Sequence, residues 1–366
     1  MEYPAPTREA PQARFVFVDG LRGLAALAVA LLHVAREPLS DVSPLAGSIV
    51  SRGTLGVWVF FVISGFVIAH TLGRVPMTLT TAGRFLVRRM ARLDPPYWAS
   101  IVLTLVVAGL SAAVIPGRRL EMPSVATIGA HLVYMQYILG IGSVSDVYWT
   151  LCLEIQFYLL LVLLIALKQR AERATTETLA MAAVFGPVLL GSFFFAIGVL
   201  PTPQGGCFPF WYAFAVGGAA QRVVAGRGWG ALGVAAATSL IISVITGRLE
   251  GTVAAVTAVA IAIGHARGQL GTWLSWRPFQ YLGRISYSLY LIHGAVGARG
   301  ANLVARFFPA TPGWRVVCAG IGMAMAIAAA DVFWHLFERP SIELGRWLAR
   351  STRQRAAARA AAPTSL

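Results

Sequence analysis

The chain has 366 residues, of which only 12% are charged, and its mean hydropathy is +0.70. A soluble protein of this length needs more polar surface to cover its core, so the composition excludes an ordinary soluble domain. The net charge of +15 is typical of nucleic-acid-binding proteins, but the basic residues lie mostly between apolar runs, and we therefore expect no nucleic-acid partner.

Apolar runs long enough to cross a bilayer recur along nearly the whole chain. They predict an all-α fold, a polytopic transmembrane helical bundle with about ten spans. The predicted spans are 15–35, 54–73, 97–115, 149–167, 179–200, 208–225, 230–247, 251–266, 282–303 and 316–337. The stretch 124–141 is apolar but carries His131, Gln136 and two tyrosines, which favours an interfacial or re-entrant segment. An eleventh span there would invert the topology downstream.

The positions of Lys and Arg support this topology. With a cytoplasmic N terminus, 21 of the 30 fall inside and eight fall outside, and Arg22 lies within the first span. This excess follows the positive-inside rule and predicts a multi-pass protein of the inner (plasma) membrane with both termini in the cytoplasm. We expect a cytoplasmic segment at 1–14, a transmembrane domain at 15–340, and a basic, partly disordered cytoplasmic tail at 341–366.

The cysteines predict neither a disulfide framework nor a metal site. Cys152, Cys207 and Cys318 each lie within or beside a different apolar run, and the chain has no CxxC motif and no Cys/His cluster. The sequence does not predict an oligomeric state.

The first span, "DGLRGLAALAVALLH", contains three ionisable residues, Asp19, Arg22 and His33. Successive residues turn by about 100° in a helix, so these three lie on one stripe, with Arg22 and His33 separated by roughly 16 Å along the axis. Asp19 and Arg22 are close enough in sequence to pair. Ionisable residues within a span are costly, which indicates a functional role. The alternative is a snorkelling arginine and an interfacial histidine.

The second span places Ser64 and Gly65 between aromatic residues. Helix packing explains the glycine, and a role of Ser64 in a site stays open.

Arg88, Arg89 and Arg92 then gather just before Pro95–Pro96, where the third span is predicted to begin. Guanidinium groups match the oxygens of phosphate, so the cluster indicates an anion site. Topogenic charge at lipid headgroups is the alternative.

The fourth span begins near Trp149 and carries Glu154, with Tyr158 one turn beyond. If the span enters from the outer side, Glu154 lies about 7 Å deep, at a depth similar to that of His33. A His33–Glu154 pair would orient the imidazole and raise its basicity, as a general base requires. A buried pair with only a structural role is the competing interpretation.

The ninth span, "YLGRISYSLYLIHGAVG", carries Tyr287, Tyr290 and His293. A histidine there is more often a packed, hydrogen-bonded residue than a catalyst, so these three are expected to support a site. The last span ends in "WHLFERP", where Glu338 and Arg339 are expected to mark the inner interface.

Six stretches, in this order, resemble the acyltransferase type 3 family of integral membrane acyltransferases. They are "FVDGLRGLAALAVALLH", "GVWVFFVISGFVI", "RRMARLDPPYW", "WTLCLEIQFY", "LGRISYSLYLIH" and the terminal "FERP". Each motif is weak by itself, but the six together are specific and cover most of the predicted membrane domain.

The resemblance implies roles for individual residues. The Arg-(ten residues)-His motif of the family falls on Arg22 and His33, its Arg-x-x-Arg motif on Arg89 and Arg92, and its membrane glutamate on Glu154. The implied donor is cytoplasmic acyl-CoA, most often acetyl-CoA, used as a substrate rather than a bound cofactor. The implied acceptor is a hydroxyl of a carbohydrate, a polysaccharide precursor or a natural product.

The resemblance and the residues together suggest one reaction path. Arg88, Arg89 and Arg92 would bind the phosphates of acyl-CoA, with Arg22 deeper in the membrane, and His33 would take a proton from the acceptor. Direct transfer is preferred over an acyl-enzyme because no serine or cysteine has an obvious adjacent base. A proton-coupled transporter is the alternative from another class, and a flippase-like lipid-carrier protein is a third.

Overall fold

The computed structural model of the protein describes residues 15–73, 75–114 and 122–349. The predictions for segment 1–14 and for the tail beyond 349 lie outside the described residues. Within the described ranges the chain is helical and contains no β-strand.

Thirteen α-helices follow one another in the described part of the chain. They are α1 (Val16–Val42), α2 (Pro44–Ser51), α3 (Gly56–Leu72), α4 (Leu79–Val114), α5 (Val125–Leu132), α6 (Trp149–Ala171), α7 (Glu177–Ala196), α8 (Trp211–Val224), α9 (Gly230–Thr246), α10 (Glu250–Ala266), α11 (Arg277–Ile292), α12 (Arg299–Val304) and α13 (Pro312–Phe333). Short 3₁₀ turns cover Arg52–Leu55, Phe208–Phe210 and Ala305–Phe307, and π-helical segments cover His293–Ala298 and Trp334–Glu338.

Among the described residues, six helical stretches are long and apolar enough to cross a membrane. They are Val16–Val42, Pro44–Leu72, Leu79–Val114, Trp149–Ala171, Glu177–Ala196 and Pro312–Ala349. Two shorter apolar helices, α9 and α10, have 17 residues each. Each of the ten predicted spans coincides with a helix, so the prediction of a helical, multi-pass membrane protein is confirmed. The number of ten spans and the cytoplasmic position of the termini stay predictions.

The stretch 124–141 forms the short helix α5 followed by turns. Eight residues of helix rise only about 12 Å, far less than the ~30 Å of a bilayer's hydrocarbon core. His131, at the end of α5, is fully buried; its Nδ1 donates to the carbonyl oxygen of Thr127 (2.8 Å) and its Nε2 accepts from the Val144 N–H (3.1 Å). Burial lowers the pKa of His131, so the neutral ring ties the following turns back onto the helix.

Helix α4 differs from its prediction, because it begins 18 residues before the expected start of the third span and includes Pro95 and Pro96. Prolines within a helix cost backbone hydrogen bonds. Here Phe85, Leu93, Pro96 and Tyr97 are buried against the rest of the bundle. Their packing holds the helix together across the prolines. The arginine cluster therefore lies within the same continuous helix as the third span, rather than before the start of that helix.

The last helix also extends further than predicted. Helical structure continues from Pro312 to Ala349, past Glu338 and past the expected boundary at 340. Glu338 is 1% exposed and lies inside the bundle. Its expected position at the inner interface, together with that of Arg339, stays a prediction.

Two glycines let helices approach closely around the site. A Cβ atom on Gly65 of α3 would collide with the backbone oxygen of Phe214 in α8, and one on Gly283 of α11 would collide with the backbone oxygen of Asp19 in α1. In lipid the hydrophobic effect does not drive helices together, and small residues at the crossings allow the close van der Waals packing that does. These crossings fix how α1, α3, α8 and α11 stand around the polar interior.

Candidate active site

A cavity of about 120 Å³ opens between α1, α3, α4, α6 and α11. Its polar wall is made by nine side chains from these helices: Arg22, Ser64, Arg89, Arg92, Thr150, Glu154, Tyr158, Tyr287 and Tyr290. The rest of the lining is apolar. We call this space the arginine cavity.

Three half-buried guanidinium groups share the arginine cavity. Arg89 and Arg92 are three residues apart on α4, which places both on the same helical face, and Arg22 reaches the cavity from α1. The Arg89 guanidinium lies 5.6 Å from the ring centroid of Phe85 and 5.6 Å from that of Tyr158. Arg88, which the sequence grouped with them, is absent from the lining.

Arg22 and Arg92 make no hydrogen bond or salt bridge to any residue of the described ranges. Such groups are rarely buried without a partner, because removing an ion from water is costly unless an opposite charge compensates. One carboxylate, that of Glu154, lines the same cavity. The cavity therefore carries an excess of positive charge in apolar surroundings, which suits an anionic ligand.

Glu154 is held by two hydroxyl groups. Its Oε1 accepts hydrogen bonds from Ser64 Oγ (3.1 Å) and from the Tyr158 hydroxyl. The predicted His33–Glu154 pair is therefore not formed, and the prediction was wrong. Helical periodicity gives the direction and depth of a side chain but not its partner across a helix crossing.

The partner of His33 is His293. The Nε2 of His293 lies 3.2 Å from the Nδ1 of His33, and the ring centroids are 5.0 Å apart. A carbonyl oxygen only accepts, so contacts to Val29 (2.8 Å) and Leu289 (3.0 Å) require that Nδ1 of each histidine carries its proton. When both rings are neutral, His293 Nε2 accepts from His33 Nδ1–H. The lone pair of His33 is then on Nε2.

His33 is exposed, whereas His293 is fully buried at the start of the first π-helical segment. His33 is not among the residues that line the arginine cavity. Tyr290 connects the two places: its ring centroid lies 6.2 Å from that of His293, its hydroxyl lies 2.8 Å from Thr150 Oγ1, and it lines the cavity.

The remaining predicted residues have mainly structural contacts. The Tyr287 hydroxyl donates to the backbone oxygen of Leu93 (3.0 Å) in the wall of the cavity. Trp149 lies outside the lining and packs its ring against Tyr137 and Phe210, with centroids 5.9 and 5.6 Å away. Asp19 lies on α1 one turn before Arg22, where α1 crosses α11.

Sequence reasoning missed Thr150 as a wall residue and Glu338 as a buried carboxylate. Glu338 Oε2 accepts hydrogen bonds from the Ser288 N–H (3.1 Å) and from Ser288 Oγ (2.6 Å). Glu338 ends the second π-helical segment, as His293 begins the first, and π-bulges are frequent at functional sites. In the sequence, the position of Glu338 directly after an apolar run was the feature that could have indicated a buried carboxylate.

The fold and the cavity define a multi-pass helical membrane protein with a polar, arginine-lined interior. Within the ranges described, no group of three or more His, Cys, Asp or Glu residues is arranged to hold a metal ion. The chain belongs to the acyltransferase type 3 family, because the model of the family's acyltransferase domain matches residues 15–331. The resemblance seen in the six sequence motifs is thereby confirmed.

Individual relatives match more weakly. "Acyltransferase MdmB" of Streptomyces mycarofaciens is 29% identical over 153 residues, which are 40% of this chain and 38% of that protein. "Putative membrane-bound transacylase BcsY" of Komagataeibacter xylinus is 29% identical over 317 residues, 77% of this chain and 73% of that protein. "Protein 2 in picA locus" of Rhizobium radiobacter is 37% identical over 100 residues, 26% of this chain and 46% of that protein.

The chain spans less than half the length of two of these relatives, 46% of the Rhizobium protein and 38% of the Streptomyces protein. No solved structure matches the chain.

Proposed function

We propose that this family member is an O-acyltransferase of the inner (plasma) membrane, with both termini in the cytoplasm. It moves an acyl group, in the first instance acetyl, from cytoplasmic acyl-CoA to a hydroxyl of a carbohydrate or a cell-surface glycan precursor. The observation that carries this proposal is the set of three guanidiniums in the arginine cavity, two of which make no hydrogen bond or ion pair in the described part of the chain.

The arginine cavity suits the donor. Acyl-CoA is a polyanion with a thioester at the end of a narrow arm, and guanidinium forks bind phosphate oxygens well. Arg89 and Arg92 lie on the part of α4 that is predicted to face the cytoplasm, and Arg22 lies in the corresponding half of α1. Phosphates held by these groups would place the arm between α3 and α6, beneath Tyr290.

His33 has the properties of the general base. Its Nδ1 proton is engaged by Val29 and His293, so its Nε2 lone pair is available on an exposed ring. In the transfer step, Nε2 takes the proton of the acceptor hydroxyl while the hydroxyl oxygen bonds to the thioester carbonyl carbon. The C–S bond then breaks, the CoA sulfur takes the proton from the imidazolium, and an ester and free CoA result.

The oxyanion of this step needs a hydrogen-bond donor. Ser64 and Tyr158 donate to Glu154, and Tyr287 donates to Leu93, so these hydroxyls are engaged. The guanidiniums of Arg22 and Arg92 retain free N–H groups in the described structure. In this proposal the phosphates of acyl-CoA occupy those N–H groups, and Arg22 lies roughly 16 Å from His33 along α1, so the oxyanion is assigned to a backbone N–H group. Glu154 has a positioning role, because it holds the two hydroxyls and balances part of the positive charge.

The test is transfer of labelled acetyl from acetyl-CoA by the purified protein in nanodiscs, with a cell extract of glycans as acceptor. The wild type should release CoA and label a glycan. His33→Ala and Arg89→Ala should both release CoA and label the glycan much more slowly than the wild type. CoA binding separates the two variants: His33→Ala should retain it and Arg89→Ala should weaken it.

The transporter alternative predicts the opposite pattern. Transport would depend on a proton gradient and survive Arg89→Ala, and acetyl-CoA would not bind. Absence of acetyl-CoA binding to the wild type, with both variants indistinguishable from it, would overturn the proposed acyl transfer.

A further inference from the structure

A second cavity of about 190 Å³ lies between α3, α6, α7 and α8. It shares no wall residue with the arginine cavity, because it faces the opposite side of α3. Gly65 and Ala69 of α3, and Gly73 just after its end, follow one another at four-residue spacing and form one side of the cavity. We call this space the α8 cavity, and nothing in the proposed acyl transfer uses it.

The interior of the α8 cavity is apolar. Leu161, Ile165, Phe185 and Phe214 line it from three helices, while the small side of α3 leaves the space between them open. Trp211 lines the same cavity and is 1% exposed. An apolar space of this kind takes hydrocarbon rather than water.

The length of the α8 cavity matches one leaflet of a bilayer. Trp211 and Arg222 both line it and lie eleven residues apart on α8, which corresponds to about 16 Å along the helix axis. Half of a hydrocarbon core of ~30 Å is nearly the same length. The cavity therefore has room along its axis for an acyl chain of a single leaflet.

The Arg222 end of the α8 cavity is charged. Three basic groups lie around one oxygen, Oε1 of Glu177: Arg222 at 2.8 Å, Arg227 at 3.1 Å and Lys168 at 3.7 Å. Glu172 contributes a second carboxylate, 2.6 Å from Lys168. Three cations thus face two carboxylates, and the Arg222 Nε is buried without an acceptor in the described ranges. This end is predicted to face the cytoplasm.

From these observations we propose that the α8 cavity is a binding site for an anionic glycerophospholipid of the cytoplasmic leaflet. One acyl chain lies in the space that α3, α6, α7 and α8 enclose, and it ends near Trp211. The headgroup phosphate lies among Lys168, Arg222 and Arg227. Its negative charge balances the positive charge that the two carboxylates leave unbalanced. The apolar interior alone would accept any chain, and the charged end selects the headgroup.

The test uses Trp211 as the reporter in the full-length protein. The protein is placed in nanodiscs of phosphatidylcholine that contain increasing fractions of phosphatidylglycerol brominated on its acyl chains, and tryptophan fluorescence is measured. The chain has ten tryptophans, so quenching at Trp211 is taken as the difference between each protein and its Trp211→Phe counterpart. Brominated phosphatidylcholine and a brominated fatty acid are the comparison ligands.

Phosphatidylglycerol should quench Trp211 at a mole fraction about fivefold lower than phosphatidylcholine does, the ratio expected from one net charge at the headgroup. Arg222→Gln should reduce this ratio towards one. Gly218→Leu should abolish the quenching by filling the cavity, since a Cβ there meets only ordinary contacts, 3.8 Å from Ala69 and 3.9 Å from Gly65. Gly233→Leu, on an exposed part of α9 with open space around it, is the matched control and should change nothing.

Three results would overturn the proposal. They are equal quenching by the two phospholipids, quenching that persists in Gly218→Leu, and saturation by the fatty acid alone. Acetyl-CoA binding, measured on the same nanodiscs, reports on the arginine cavity, so a failure of either proposal is recognised separately.

Discussion

Arg88 and Arg89 are neighbours in the sequence, yet the structure assigns them different environments. Arg89 lines the arginine cavity between the rings of Phe85 and Tyr158, and Arg88 does not. The sequence pattern predicts that both bind the anion, whereas the tertiary structure predicts that only Arg89 does. Substituting each residue separately therefore tests one prediction against the other. We expect Arg89→Ala to weaken CoA binding strongly and Arg88→Ala to leave it nearly unchanged.

The magnitude follows from the contacts. A hydrogen bond to a charged group contributes about 1.5–3 kcal/mol, and each ~1.4 kcal/mol is tenfold in affinity, so Arg89→Ala should raise the Kd for CoA roughly 10- to 100-fold. Arg88→Ala removes a charge that lies outside the cavity and should raise the Kd for CoA less than about threefold. Arg89→Lys should fall between, because an ammonium keeps the charge and loses the fork.

Isothermal titration of CoA into the protein in nanodiscs measures all three variants. The thermal unfolding midpoint of each variant serves as the control for folding, since Arg89 also packs on two aromatic rings. Equal losses in Arg88→Ala and Arg89→Ala, at unchanged midpoints, would refute the assignment of the cavity as the CoA site and favour a diffuse surface charge.

Three further outcomes are expected. His293→Leu removes the acceptor for His33 Nδ1–H, so it should lower kcat about 10- to 100-fold without changing CoA binding. His293→Gln should recover part of the rate. An unchanged rate in His293→Leu would show that the contact between the two histidines has only a packing role. Glu154→Gln should bind CoA about two- to tenfold more tightly, because the substitution removes a negative charge from a cavity that binds a polyanion. Weaker binding would contradict this. Gly65→Val should destabilise the protein by about 1–3 kcal/mol through collision with Phe214, whereas Gly233→Val, in open space on α9, should change the unfolding midpoint far less.

The sequence by itself determined the class of fold and the identity of many residues in the arginine cavity. Length, hydropathy and the positions of basic residues are sufficient for a helical membrane protein, because lipid allows few ways to satisfy the backbone. Helical periodicity also placed Arg22 towards the interior, since an ionisable side chain in a span avoids lipid.

Only the tertiary structure decided which polar groups meet. His33 and His293 are 260 residues apart, and their contact depends on how closely α1 and α11 cross at small residues such as Gly283. Likewise, Arg89 enters the cavity while Arg88 does not, because α4 is one continuous helix whose orientation is set by buried residues near Pro96. Periodicity fixes the face of one helix, and packing between helices fixes the partner.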